Sequence, residues 1–191
     1  LQRGQAGAAF RTYLAIADET KDPRLAERAV QIAVAANALK EFRQATATWL
    51  KLAPSNRDAQ RHYLSANILS GNYAVALPIE SAYLENSPER GKNILELQAQ
   101  LALAKDRKQA LQFFQSATVK YRDLYETQLG LARLELLNGN MNTALEYAKK
   151  AYSINANDET VSVLAGMLAG LQPEEAMKLL TNFLQKKPDS K

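Results

Sequence analysis

Residues 125–158 read YETQLGLARLELLNGNMNTALEYAKKAYSINAND, and each landmark in them has a physical use. Gly139 ends a first helix in the left-handed conformation that glycine tolerates best. Ala144 sits five residues later, where two helices of a pair cross closely and a large side chain would push them apart. Ala151 and Ala156 follow. The same marks recur along the chain. Ala144, Ala110, Ala76, Phe42 and Ala8 are each 34 residues apart, and so are Ala151, Ala117, Tyr83, Trp49 and Ala15. A third series runs Pro54, Pro88, Arg122 and Ala156. Gly139 is matched by Lys105, Gly71 and Asn37. Ala176, Phe183 and Pro188 continue the three main series after a two-residue deletion. A repeat of 34 residues suits two helices of about a dozen residues each with short turns.

Composition agrees with an all-α chain. The 191 residues are 47% apolar and rich in good helix formers, and Val and Ile never alternate with polar residues over a strand length. Ser87-Pro88 is expected to supply an N-cap and a first-turn proline, with Asp22-Pro23 and Gln172-Pro173 as similar starts. Asp106 with Gln109 resembles a capping box. Pro78 falls inside a second helix and is expected to kink it.

These landmarks resemble the tetratricopeptide-repeat (TPR) family along nearly the whole chain. The resemblance implies a right-handed superhelix of antiparallel helix pairs, an α-solenoid of about five to six units, forming one domain over residues 1–191. The units are expected at about 1–22 (partial), 23–56, 57–90, 91–124, 125–158 and 159–191. Two units are degenerate: Phe42 stands where Ala is expected, Lys105 where Gly is expected, and a register shift of three using Ala45 is an alternative for 23–56. The chain begins without Met and is read as a fragment. Gly7–Glu19 then becomes a second helix whose partner lies upstream. Neither end carries a clear polar cap, which makes the array ends candidates for dimerisation.

In TPR proteins the first helix of each pair lines a concave groove. The resemblance places Arg24, Glu27, Gln31, Arg61, Ser65, Ile68, Leu95, Ala99, Leu129, Arg133 and Leu136 there, a mixed lining that suits a peptide or helix with apolar and charged side chains. The Lys–Asn–Arg clamp by which one TPR subclass grips chaperone carboxylates is not present. Its key places hold Glu27, Arg61, Leu95 and Leu129, with Gln31, Ser65, Ala99 and Arg133 four residues on.

No catalytic or cofactor chemistry is legible. The single histidine, His62, has no second His to build a site with, and no dinucleotide, phosphate-loop or zinc-protease motif occurs. Without Cys there are no disulfides or thiolate metal sites. The Asp158-Glu159 and Glu174-Glu175 pairs fall at helix N-termini, where the helix dipole explains them. The net charge of +4 is spread singly and calls for no nucleic acid, and no run of eighteen apolar residues spans a membrane.

The expected function is therefore a non-enzymatic scaffold or adaptor for another protein or peptide, with no cofactor and no metal. An RNA-binding helical repeat and a self-assembly module of a larger enzyme are the alternatives. A narrower likeness points to a compartment. Leu1-Gln2-Arg3-Gly4, Tyr13-Leu14 and Asp22–Ala29 resemble the early part of proteobacterial TPR proteins exported to the periplasm, several of them outer-membrane lipoproteins. One such group is similar to adaptors that present cell-wall hydrolases to a carboxyl-terminal processing protease. The likeness implies a periplasmic or outer-membrane-anchored adaptor.

Overall fold

The computed structural model describes residues 3–186, with side chains over 6–185; the Pro188 landmark lies outside them. The described residues form helices and turns, with no strand. Eleven α-helices follow in order: α1 (Arg3–Thr20), α2 (Pro23–Ala35), α3 (Leu39–Leu52), α4 (Arg57–Leu69), α5 (Tyr73–Asn86), α6 (Arg90–Leu101), α7 (Arg107–Ala117), α8 (Tyr125–Leu137), α9 (Met141–Ile154), α10 (Asp158–Ala169) and α11 (Pro173–Lys186). A short 3₁₀ turn, Val119–Tyr121, separates α7 from α8. Packing divides the chain into two compact units, Leu1–Ile79 and Glu80–Lys191.

Three turns between first and second helices use one device. Asn37, Gly71 and Gly139 have φ of 50°, 71° and 82°. The next amide in each turn reaches back to the helix: Ala38 N to Ala33 O, Asn72 N to Asn67 O, and Asn140 N to Glu135 O, at 2.9, 2.8 and 3.0 Å. This is the Schellman arrangement, and it satisfies a carbonyl the helix end would otherwise leave bare. Where Lys105 replaces the glycine, the device is missing. There α6 stops at Leu101 and a longer link leads to α7. Asp106 restarts the helix by accepting from Gln109 N at 2.9 Å and from Gln109 Nε2 at 2.8 Å.

Second helices begin at residues 39, 73, 107 and 141, steps of 34, and then at 173, a step of 32. Phe42, Ala76, Ala110, Ala144 and Ala176 each lie three residues inside, and all are buried. Phe42 therefore keeps the common register, and the shift to Ala45 is not used.

Two expectations need correction. Ala8 and Ala15, the first landmarks of their series, are exposed; α1 buries Ala6, Phe10, Leu14 and Ala17 instead. Phe10, Leu14 and Ala17 precede Phe42, Thr46 and Trp49 by 32 residues, not 34. The cause is the α1–α2 turn, which has only residues 21–22 where the α3–α4 turn has 53–56. Lys21, at φ 59°, makes that short turn. Ser87-Pro88 likewise does not start α6, whose first residue is Arg90. Ser87 Oγ instead accepts from Glu89 N at 3.1 Å and from Asn93 Nδ2 at 2.6 Å. Asp22, by contrast, does cap α2, with Pro23 in its first turn.

The core of unit 1 joins Phe10, Leu14 and Ala17 of α1 to Ala26, Ala29 and Val30 of α2, and to Phe42, Ala45 and Trp49 of α3. In unit 2 a cluster of small residues, Ala132, Ala144 and Ala148, brings α8 and α9 together with Leu164, Met167 and Leu168 of α10. Gly130 is needed where α8 meets α7: a Cβ on it would lie 2.4 Å from Cζ of the fully buried Phe114. Pro78 sits on the exposed side of α5, and the helix runs through it. Its missing N–H leaves the carbonyl of Ala74 without an intrahelical donor, and Ala74 is itself exposed.

Candidate partner-binding surface

In unit 1 the core-facing stripe of α2 is Ala26, Ala29, Val30 and Ala33, which turns Arg24, Arg28, Gln31 and Val34 outward. Val34 is 57% exposed. The Arg24 guanidinium forks onto Asp22, with Nε 3.0 Å from Oδ1 and Nη2 2.7 Å from Oδ2. These bonds hold the Asp22 carboxyl below its usual range and raise the guanidinium further. Arg28 Nη1 donates to Gln31 Oε1 at 2.7 Å, and Glu27 is half-buried. On α4, Arg61 is exposed and has no acid or acceptor partner among the described residues. Ser65 is half-buried. Ile68, at 4% exposure, is a core residue and offers a partner no surface.

His62 turns toward α3. Its ring lies 5.6 Å from Trp49 and 6.2 Å, edge-on, from Phe42. Nδ1 sits 2.8 Å from the Asp58 carbonyl oxygen, which can only accept, so Nδ1 carries the proton. This is a packed histidine on its own helix's backbone. Among the described residues it belongs to no group of three side chains that could hold a metal ion.

Unit 2 treats the equivalent positions differently. Leu129 is fully buried, because α8 is enclosed almost all round: Thr127, Gln128, Gly130, Leu131, Ala132, Leu134 and Glu135 are buried with it. Arg133 donates from Nη2 to Glu159 Oε1 of α10 at 2.9 Å and from Nη1 to Gln98 Oε1 of α6 at 3.5 Å. It therefore stitches three first helices together. Leu95 is half-buried, Ala99 exposed, and Leu136 is 40% exposed. Gly91 lets α6 approach Glu126 closely, since a Cβ there would overlap the Glu126 carboxylate. Burial first, then the nearby carboxylates Glu126 and Glu159, push the Tyr125 phenol up.

Spacing alone did not single out Arg28, which belongs with Gln31, or Gln98, which receives Arg133. Among the described residues no three His, Asp or Glu side chains are placed to hold a metal ion, and no helix is long and apolar enough to cross a membrane. The surface can pair charges and cover apolar side chains.

No protein-family model matches the chain. It is 26% identical over all 191 residues to the TPR repeat-containing protein PA4667 of Pseudomonas aeruginosa, of which it spans 32% of the length. Among solved structures it is similar to MamA from Desulfovibrio magneticus RS-1. That match has a TM-score of 0.53 and 14% identity, covering 87% of this chain and 96% of the other. It is also similar to PilW, a type IV pilus biogenesis factor, with a TM-score of 0.52 and 15% identity, covering 99% and 87%. The chain thus has the all-α TPR fold.

Proposed function

We propose that this chain is a non-catalytic scaffold that holds a peptide or protein segment against the outward faces of its first helices, with α2 and α4 of unit 1 carrying most of the recognition. The observation that supports this is the unengaged Arg61 on α4, together with Arg28, Gln31 and the 57% exposed Val34 on α2. Exposed arginines, one of them unengaged, beside an exposed apolar side chain suit a segment that mixes acidic and apolar residues. Arg133 is excluded from this role because its donors already serve the fold.

Within that role we place the protein in the bacterial envelope, as an adaptor for a protease or cell-wall enzyme. The early-sequence likeness supports this, and so does the curated relative's origin in Pseudomonas aeruginosa. The test is site-specific photo-crosslinking in the source cells, with the reactive group at Arg61 or Gln31, or at exposed Gln44 on α3 as the control. Adducts that form from 61 and 31, disappear with Arg28→Glu, and fractionate with the envelope are the expected result. Adducts from 44 alone would sink the first-helix reading. Adducts from 61 found only with cytoplasmic proteins would sink the envelope reading and leave the scaffold.

A further inference from the structure

Leucine recurs at three successive first-to-second-helix turns of unit 2, exposed at the outer two and half-buried in the middle one. Leu103, in the α6–α7 turn, is 80% exposed, and Leu171, in the α10–α11 turn, is 49% exposed. Between them Leu137 ends α8, partly exposed beside Leu136 at 40%. Leu103, Leu137 and Leu171 are 34 residues apart. The turns lie side by side: Arg107 Nη1 donates to Leu137 O at 2.9 Å, and Asn138 Nδ2 donates to Arg107 O at 3.2 Å. Leu164, Met167 and Leu168 near the end of α10 pack against Ala132 of α8 and Ala144 and Ala148 of α9, which brings the third turn up to the same edge. Packed helices lie about 8–10 Å apart, so the three leucines form a ladder roughly 20 Å long. Two exposed leucines, with half-buried Leu137 and exposed Leu136 between them, make the kind of apolar edge that marks an interface.

Charge changes sign along this edge. Beside Leu103 stand exposed Lys105, Arg107 and Lys108, while the only acid there, Asp106, caps α7. Around Leu137 the turn carries Asn138, Gly139 and Asn140. Beside Leu171 stand exposed Glu174 and Glu175, neither paired with a cation among the described residues. A second copy laid parallel would set like charges together. A copy turned half a revolution about Leu137 sets Lys105 and Lys108 against Glu174 and Glu175 twice, with the leucines between. Such self-complementarity is what a two-fold interface requires.

We infer that two copies of this chain pair edge to edge and antiparallel through the Leu103–Leu137–Leu171 ladder of unit 2. The inference is independent of the first-helix binding surface in unit 1. It also differs from sticking through the array ends.

Sedimentation velocity on the full chain, from low micromolar to a few hundred micromolar, tests it. The wild type should form dimers that stop at two. Leu103→Asp should weaken them about tenfold or more, whereas Leu184→Lys, on the exposed far end of α11, should leave them unchanged. The decisive arm exchanges charge. Lys105→Glu/Lys108→Glu and Glu174→Lys/Glu175→Lys should each be monomeric alone and form a heterodimer when mixed. All substituted residues are exposed, and circular dichroism confirms that the variants remain helical. A wild type that stays monomeric, dimers that survive Leu103→Asp, dimers lost with Leu184→Lys, growth into open chains, or charge variants that fail to pair on mixing would each overturn the inference.

Discussion

The two units spend their polar side chains in opposite ways. Residues 1–79 hold ten Lys and Arg against six Asp and Glu, whereas residues 80–191 hold fourteen of each, so the whole net charge of +4 belongs to unit 1. Among the described residues, the side-chain bonds of Arg24 and Arg28 on unit 1's α2 are local, to Asp22 and Gln31. Unit 2 uses its charges between elements. Arg90 reaches the carbonyls of Leu84 and Glu85 at the end of α5 and stacks on Tyr121 at 4.8 Å; Lys120 pairs with Glu85; Arg133 joins α6, α8 and α10. Charges consumed by the fold are not available to a partner. Unit 1 leaves its first-helix charges at the surface, whereas unit 2 uses its own to cross-link helices.

The largest effect should come from Phe114→Ala. It empties a fully buried aromatic site against Gly130, and such truncations cost about 4 kcal/mol. Trp49, the only tryptophan, lies in the core of unit 1 and reports on that unit alone. In denaturant, the helical signal of unit 2 should melt early while the Trp49 fluorescence midpoint holds. Coincident shifts would mean that the units unfold as one and that the contrast between them is not a contrast of stability.

Glu80, the first residue of unit 2, is 4% exposed, and burial pushes its carboxyl up to about 7. An acid raised in the folded state favours folding in its protonated form. Its penalty is absent below the unfolded value near 4.5, grows as pH rises, and levels off above 7. Glu80→Gln should therefore stabilise the protein by about 3 kcal/mol at pH 8, with the gain vanishing at pH 4. A gain that is equal at both pH values would show that packing, not ionisation, is responsible. Smaller still, Arg133→Ala should cost about 1 kcal/mol through the lost bonds to Glu159 and Gln98, while Arg61→Ala should stay within about 0.5 kcal/mol of wild type. An equal loss at both positions would erase the distinction between a structural and a free arginine.

Much of the fold could be read from the chain because helix crossings demand small residues at fixed intervals. Ala76, Ala110 and Ala144 mark them, and Asn37, Gly71 and Gly139 mark the turns. The 34-residue count falls two residues off in the first unit because the deletion lies in a turn, and turns leave no apolar period to count. The surface was less legible. Position 5 of a unit is exposed as Arg61 in α4 but buried as Leu129 in α8, since exposure depends on how many helices surround α8 rather than on its own sequence. The leucine ladder is visible as a 34-residue spacing, but leucine at a regular interval reads as core until its exposure is known.

The finest test of the comparison uses two lysines in turns. By sequence, Lys105 in unit 2 occupies the glycine place and should welcome glycine; Lys21 in unit 1 carries no such mark. The backbone reverses this. Lys21 holds φ at 59°, a left-handed conformation that crowds any Cβ, while Lys105 is not among the positive-φ residues. Lys21→Gly relieves that crowding and gives back part of the gain as extra freedom in the unfolded chain, leaving about 0.5 kcal/mol of stabilisation. Lys105→Gly relieves nothing and adds only the freedom, so it should destabilise by about 0.5 kcal/mol. Lys21→Ile, a β-branched residue poorly suited to that region, should cost about 1 kcal/mol or more. Urea midpoints resolve these signs. If glycine helps at 105 and not at 21, the contrast between a strained lysine in unit 1 and an unstrained one in unit 2 falls.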